Sequence, residues 1–504
     1  MRRFLLIFFL LSISYFLLYK IYIPRVSAFG CFDDCFNFAA GYFINHHKVL
    51  YSEIFYNHQM LPAYISSVIQ SVTHPINIFE LVLKHRQFLL FFSFIFNLLL
   101  ITRFGTPAFL FFIFFEFSKF YIFGDRFLAE GILAYPLVYL IFLAWQKLKK
   151  NKIEDYDYIL LAISAWLVLF LRETFIPVTL VLFLFILFPY RRTTTIKKAS
   201  ILLFTLLCLA SLLSVNIGDY YFNEVVVNKS FFADAPSGFL KILFYPLYIL
   251  TSDKWNLFRI VLSGIDAIFL FSLSYLVVIK KRLKFLIIFV PLILANLRVV
   301  EPGELFYSSF HMIPFFAIFL SLTFLLIWEV KKYSRKIWMA GVVISTILFI
   351  FYISSPKTFF RDKIKQHDEF IINYGNILEA GDVIKTISNP TDTLFVDGFD
   401  EMIYWVADRP SSYKYLMYTS SMPNFKKYSD AREGMFTKTP PDFYYGSCYK
   451  EINAARLMPS QSASLYTRLN AFGKPSCVFV RKDKVKNITT DQWKKAKERG
   501  YDIS

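Results

Sequence analysis

The chain has 504 residues, of which 56% are apolar and 61 are Phe. The apolar residues come in unbroken runs such as F-L-L-F-F-S-F-I-F-N-L-L-L, which excludes an ordinary water-soluble globule, because a bilayer-crossing helix needs about 20 such residues. A formal charge of +18 would suit nucleic acid, but Lys and Arg fall in short connections between the apolar runs, as an orientation signal does. The expected surroundings are a lipid bilayer, with no nucleic-acid partner.

The first span, near 4–23, follows M-R-R. Val26-Ser27-Ala28 also fits a small-residue cleavage site. The apolar stretch exceeds the roughly 7–15 residues of a signal core, which favours an uncleaved anchor, and both versions place the next segment outside.

That segment, the 24–86 outer loop, opens C-F-D-D-C. Asp33 and Asp34 read either as a solvated acidic stretch or as a general base at the membrane face, where partial burial tunes a carboxylate. Tyr51 to Pro62 carries Glu53, His58 and Gln59. The helix that follows places Leu61, Tyr64, Ile65, Val68, Ile69 and Val72 on one face. This is the pattern of an interfacial helix along the bilayer, or of a helix packed into a core.

Further spans are read near 87–102, 106–123, 127–145, 158–171, 174–189, 199–216, 257–279, 284–297, 307–328 and 337–354, about eleven in all. Basic connections alternate with weakly charged ones, which puts the N-terminus in the cytoplasm and everything after residue 354 outside. Residues 158–189 as one helix would measure about 48 Å against a core of roughly 30 Å. A break at Arg172-Glu173 resolves this and keeps R-R-T-T-T-I-K-K inside.

Asp125 and Arg126 lie in the second outer turn, with Glu130 entering the next span. Arg126, at i−4 from Glu130, is the expected ion-pair partner, so the group reads as structural or as a site. Arg172 grips a phosphate at the outer face or pairs with its neighbours. Arg298 and His311 flank a later outer turn, where His311 reads as a packing residue. Glu116 and Lys119, one turn apart inside the third span, are expected to pair.

Cys31 and Cys35 share the first outer loop, and Cys448 and Cys477 share the tail, an arrangement that permits two disulfides without requiring them. In the tail, 355–504, a helix over Asp368–Ile387, a strand T-L-F-V-D-G, a helix E-M-I-Y-W-V-A-D and a late strand P-S-C-V-F-V-R-K predict a soluble α/β domain. No Walker loop, dinucleotide fingerprint, H-E-x-x-H or zinc-spaced cysteine set is present, and His46, His47 and His58 lack supporting ligand spacing.

The order of these features resembles the GT-C superfamily of integral-membrane glycosyltransferases. The similar branch is the bacterial one related to protein O-mannosyltransferases and lipid A aminoarabinose transferases. The residues that carry it are Asp33-Asp34 after span one, the stretch Gly41 to Glu53 ending V-L-Y-S-E, the Pro62-led helix, Asp125 and Glu130 in the second turn, and F-V-D-G-F-D-E-M-I-Y-W-V-A-D-R-P-S-S-Y-K-Y with F-G-K-P-S-C-V-F-V in the tail. A late F-Y-S-S-F-H-M-I-P departs from the pattern, with Tyr307 near the expected place and His311 displaced.

The resemblance implies a multi-span GT-C-like module over 1–354 and an extracytoplasmic domain over 355–504. It implies inverting transfer of a sugar from a polyprenyl-phosphate donor to a protein, lipid or glycan acceptor. Asp33 would be the base, Asp34 its orienting neighbour and Asp125 a second acidic contact. Arg172 and Arg298 would hold the donor phosphate, and Glu53, His58 and Glu130 would contact acceptor or donor. A divalent cation is left open. The competing readings are a polysaccharide polymerase or ligase, which would place its arginines in late loops, and a transporter, which would carry mid-span charges and repeats. A scaffold displaying its tail would depend on the tail and not on Asp33.

Overall fold

The computed structural model describes residues 2–22, 33–188, 195–232, 257–295, 309–354, 375–398, 400–416, 418–419, 422–446 and 458–503. The chain is mostly helical, with one small sheet near the C-terminus. The helices that matter for the site are α1 (Arg2–Tyr22), α2 (Asp33–Asn45), α3 (Met60–Thr73), α4 (Ile78–Phe104), α5 (Thr106–Ser118), α6 (Ala129–Leu148), α7 (Asp155–Leu171), α8 (Ile176–Leu187) and α9 (Thr195–Leu213). After a helical segment over 217–232 come α10 (Leu257–Ser274), α11 (Phe289–Ala295), α12 (Ile313–Val330) and α13 (Arg335–Ser354).

Among the described residues, four helical stretches are long and apolar enough to cross a membrane: Ile78–Phe104, Ala129–Leu148, Thr195–Leu213 and Phe310–Val330. Others are apolar but shorter. Leu202, Leu206, Leu209 and Leu213 of α9 are exposed, as are Met339, Val343, Ile347 and Phe351 of α13. By contrast α6 and α12 are buried along nearly their whole length and form the centre of the bundle. Polar pairs fix the helix directions. Glu130 at the start of α6 meets Arg172 at the end of α7, so these two run antiparallel. Lys149 after α6 meets Glu329 near the end of α12, and Glu130 meets His311 just before it, so those two run parallel.

The expected break after α7 is present. Arg172 is extended (φ −155°, ψ 124°), and a 3-10 turn over Glu173–Phe175 leads into α8 with Pro177 in its first turn. Pro tolerates that position because its missing N–H would be unpaired there anyway.

α3 buries a mixed face that includes Met60, Leu61, Ala63 and Ile69. Its polar residues Ser66, Ser67 and Gln70 are buried, while Val68 and Val72 are 61% and 73% exposed. Ser66 Oγ donates to His85 Nε2 at 2.8 Å, since His85 Nδ1 donates to the Leu81 carbonyl at 2.7 Å. The contact with α2 requires Gly41, where a Cβ would stand 2.7 Å from Ser66 Oγ and from the Ser67 backbone nitrogen.

The tail carries α14 (Gly375–Ile387), β1 (Leu394–Val396), α15 (Met402–Ala407), α16 (Lys426–Lys438), β2 (Phe443–Tyr445), β3 (Tyr466–Ala471), β4 (Lys474–Arg481), α17 (Thr490–Glu498) and β5 (Tyr501–Ile503). The sheet order is β1-β2-β4-β3-β5, with β1 and β2 parallel and the other pairs antiparallel. This mixed sheet matches the expected α/β texture; its strands β2, β3 and β5 were not anticipated. An aromatic core of Phe395, Tyr413, Tyr418, Tyr428, Phe436 and Tyr444 continues into Phe55 and Val227, so the tail packs directly onto the segments around the first loop.

Candidate functional site

The site lies where the starts of α6 and α12, the end of α7 and the first loop converge. Asn37, His58, Pro62, Leu128, Ala129, Glu130, Arg172 and Phe310 line a small cavity there. Arg172 is 4% exposed and is held from two sides. Its Nε pairs with Glu130 Oε1 at 3.2 Å, and its Nη1 donates to His58 Nδ1 at 2.8 Å. His311 Nδ1 donates to the same Glu130 oxygen at 3.0 Å. Arg172 has extended backbone at the end of α7, and its side chain reaches Glu130 at the start of α6.

The first loop supplies the opposite wall. Tyr56 OH donates to Asn37 Oδ1 at 2.6 Å, and Asn37 Nδ2 donates to the Phe127 carbonyl at 3.2 Å, so α2 is tied to the second turn. Tyr51 OH donates to the His58 carbonyl at 2.7 Å, and Phe36 and Tyr56 meet the His58 ring edge-on.

Desolvation first, and repulsion by Arg172 second, push the His58 imidazole down to about 3. The folded protein therefore keeps His58 neutral, whereas the unfolded imidazole takes a proton near pH 6.5. Below that pH the unfolded state binds a proton that the folded state refuses, so this contribution to stability is complete above pH 6.5 and is lost as pH falls toward 3. The expected slope is up to about 1.4 kcal/mol per pH unit. His58→Gln should flatten it. Unfolding midpoints of both proteins between pH 7 and pH 4 test this, and parallel curves would contradict the assignment.

The expected site residues fall into four groups. Glu130, Arg172 and His58 come together. Asp34 and Asp125 are each 1% exposed, and Asp125 sits 4.0 Å from Arg86 Nη1 with neither oxygen hydrogen-bonded among the described residues. Asp33 opens α2, but its side chain and the whole of Arg298 lie outside the described residues. Asp33 precedes the cavity-lining Asn37 by four positions on one helix, which puts the two on the same stripe. Glu53 is not brought to this group. It accepts from the Val49 N–H at 2.9 Å and pairs with Lys48 at 3.2 Å, and the Val49 hydrogen bond foremost holds its carboxyl below the usual range.

One expectation is corrected. Glu130 pairs with Arg172 and His311 and not with Arg126, whose guanidinium lies over the Phe123 ring. The i−4 spacing carries no weight because α6 begins only at Ala129, so Arg126 is not on the helix. His311, read as a hydrogen-bonded packing residue, is set beside α6 by a 3-10 turn over Ser309–Met312 and donates there to Glu130.

Sequence reading also missed Glu224. Burial first and Glu173 second raise its carboxyl well above the usual range, and Gln59 Nε2 donates to it at 3.2 Å. Asp266, fully buried in α10 with no hydrogen-bond partner for either oxygen among the described residues, was missed as well. The Glu116–Lys119 pair is present at 2.7 Å.

Cys35 and Cys477 are each disulfide-bonded, and Cys208 is a free thiol. Cys31 and Cys448 lie outside the described residues. No group of three or more His, Cys, Asp or Glu among the described residues is placed to hold a metal ion. Comparison with known protein families and with curated proteins finds no match for this chain.

Proposed function

We propose that this chain is a multi-pass membrane glycosyltransferase of GT-C type that transfers a sugar from a polyprenyl-phosphate donor to an acceptor on the extracytoplasmic face, with inversion. The observation that carries the reading is the Arg172–Glu130–His58 group beside α2, at one end of a bundle of apolar helices. A lipid-phosphate leaving group needs charge stabilisation more than protonation, and a guanidinium oriented by Glu130 and His58 suits that task. Asp33 is the base that accepts the acceptor hydroxyl proton as that oxygen attacks the anomeric carbon and the carbon–phosphate oxygen bond breaks. Asp34 orients it, and Asp125 is a further acidic contact. The apolar outward face of α3 lies along the bilayer, where the prenyl chain runs. Disulfides at Cys35 and Cys477 agree with an oxidising outer face for both the loop and the tail.

The test is transfer from a panel of radiolabelled polyprenyl-phosphate sugars in membranes containing the protein. Asp33→Asn should lower the rate by about 10²–10⁴-fold at unchanged expression. Transfer that survives this change would move the base to Asp34 or Asp125, and no transfer from any donor would remove the enzymatic reading.

A further inference from the structure

The wall of the cavity that carries His58 is not held by its own loop alone. Tyr56, Asn57 and Gln59 are each bonded to the helical segment over 217–232. Tyr56 N–H donates to Asn223 Oδ1 at 3.3 Å. Asn57 and Asn228 exchange hydrogen bonds at 3.1 and 3.0 Å. Gln59 joins Glu224 at 3.2 Å and accepts from Tyr220 OH at 3.0 Å. That segment is gripped in turn by the tail. Lys427 pairs with Asp219 at 2.7 Å, Asp219 also accepts from Ser52 Oγ at 2.6 Å, and the Phe222 ring meets Phe425 edge-on at 5.5 Å.

Asn223, like Asp219, has a side chain that bonds both the first loop and the tail. It is fully buried in a π-helical turn over Phe222–Val227. Its Oδ1 accepts from Tyr56 N–H and from Tyr428 OH of the tail at 3.2 Å. Its Nδ2 donates to the Tyr51 carbonyl at 3.3 Å and to the Asp219 carbonyl at 2.9 Å. Both donors and both acceptor sites of the amide are thereby used, a degree of satisfaction that fixes its orientation. The two loop residues it bonds are the two whose hydroxyls act on the cavity: Tyr51 OH holds the His58 carbonyl and Tyr56 OH holds Asn37.

We propose that Asn223 is a positioning residue through which docking of the tail sets the His58 wall of the cavity. Tyr428 is its contact on the tail, and the Lys427–Asp219 pair holds the two in register. An undocked tail leaves the 49–59 loop loose and the cavity unformed, so the tail is part of the site and not an appended module. The structural claim stands without the transferase reading; only its consequence for sugar transfer rests on that reading.

Hydrogen–deuterium exchange of the full-length protein in lipid nanodiscs tests it. Peptides covering 49–59 report the wall, and peptides covering the β3–β4 hairpin, 466–481, report whether the tail is folded. In Asn223→Ala, exchange over 49–59 should rise about tenfold or more while the hairpin stays protected, as expected for losing buried hydrogen bonds. Tyr428→Phe keeps the ring and removes only the hydroxyl, and should give a smaller rise confined to the same peptides. Lys427→Asp should also loosen 49–59, and adding Asp219→Lys in the same chain should restore protection, a rescue that loss of folding would not show. Unchanged protection of 49–59 in Asn223→Ala overturns the proposal. If the hairpin also loses protection there, Tyr428→Phe decides: 49–59 unchanged in that variant overturns it equally. Loosening as expected, in a protein that transfers no sugar from any donor, would sink the transferase reading and leave the positioning role standing.

Discussion

Arg172→Ala is expected to be among the most damaging single substitutions in the site, costing about 3–5 kcal/mol. The reason is the state of Glu130 once its partner is gone. Glu130 is 3% exposed at the start of a buried helix, and one of its oxygens is shared between Arg172 and His311. Truncating Arg172 leaves a buried carboxylate with His311 as its remaining partner among these contacts, and also strips His58 Nδ1 of its donor. Adding Glu130→Gln in the same chain removes the stranded charge and should recover most of the loss. Arg172→Lys should recover little, because one ammonium cannot reproduce the fork that reaches Glu130 through Nε and His58 through Nη1. Thermal inactivation of the detergent-purified protein measures all four chains. A double variant no more stable than Arg172→Ala would mean that Glu130 is not the group that suffers.

The parts of this architecture that were legible in sequence are those set by local physics. Apolar runs mark the helices, and the run over 158–189 is longer than a bilayer core, so its length together with the charges at Arg172 and Glu173 marks the break. The apolar face expected of α3 is split by packing, with Leu61 and Ile69 buried and Val68 and Val72 exposed. Residues whose role depends on which helix docks where were not legible. Arg126 lies near Glu130 in sequence and His311 lies 181 positions away, yet packing of α6 on α12 makes the distant residue the partner. Asn223 looks like one more polar residue in an outer loop, and nothing in its neighbours tells that Tyr428 will arrive from the tail. β2 and β5 are three residues long each, too short to show alternation, and β3 is broken by an irregularity between Arg468 and Asn470.

The same logic of a stranded charge gives a second large effect away from the site. Lys119 and Glu116 are both at most 1% exposed and pair at 2.7 Å, with Tyr135 OH accepting from Lys119 and donating to Glu116, each at 2.6 Å. Asn97 extends the group by donating to Glu116 at 3.0 Å and to Tyr15 OH at 2.8 Å, and Tyr15 in turn donates to Ser93 at 3.0 Å. This chain of polar groups joins α1, α4, α5 and α6 where the surrounding contacts are apolar and interchangeable. Lys119→Met leaves the carboxylate in place without its cation and is expected to cost about 3–5 kcal/mol. Lys119→Met with Glu116→Leu removes both charges and should return to within about 1 kcal/mol of the parent, since a buried ion pair replaced by apolar groups is often neutral or better. Tyr15→Phe deletes only the bonds to Ser93 and Asn97 and should cost about 0.5–1.5 kcal/mol. The comparison separates two roles for the network. If the double variant is as stable as the parent but α1 becomes accessible to protease, the polar chain specifies where α1 docks; if α1 stays protected, apolar packing alone places that helix and the ion pair contributes only its own charge balance.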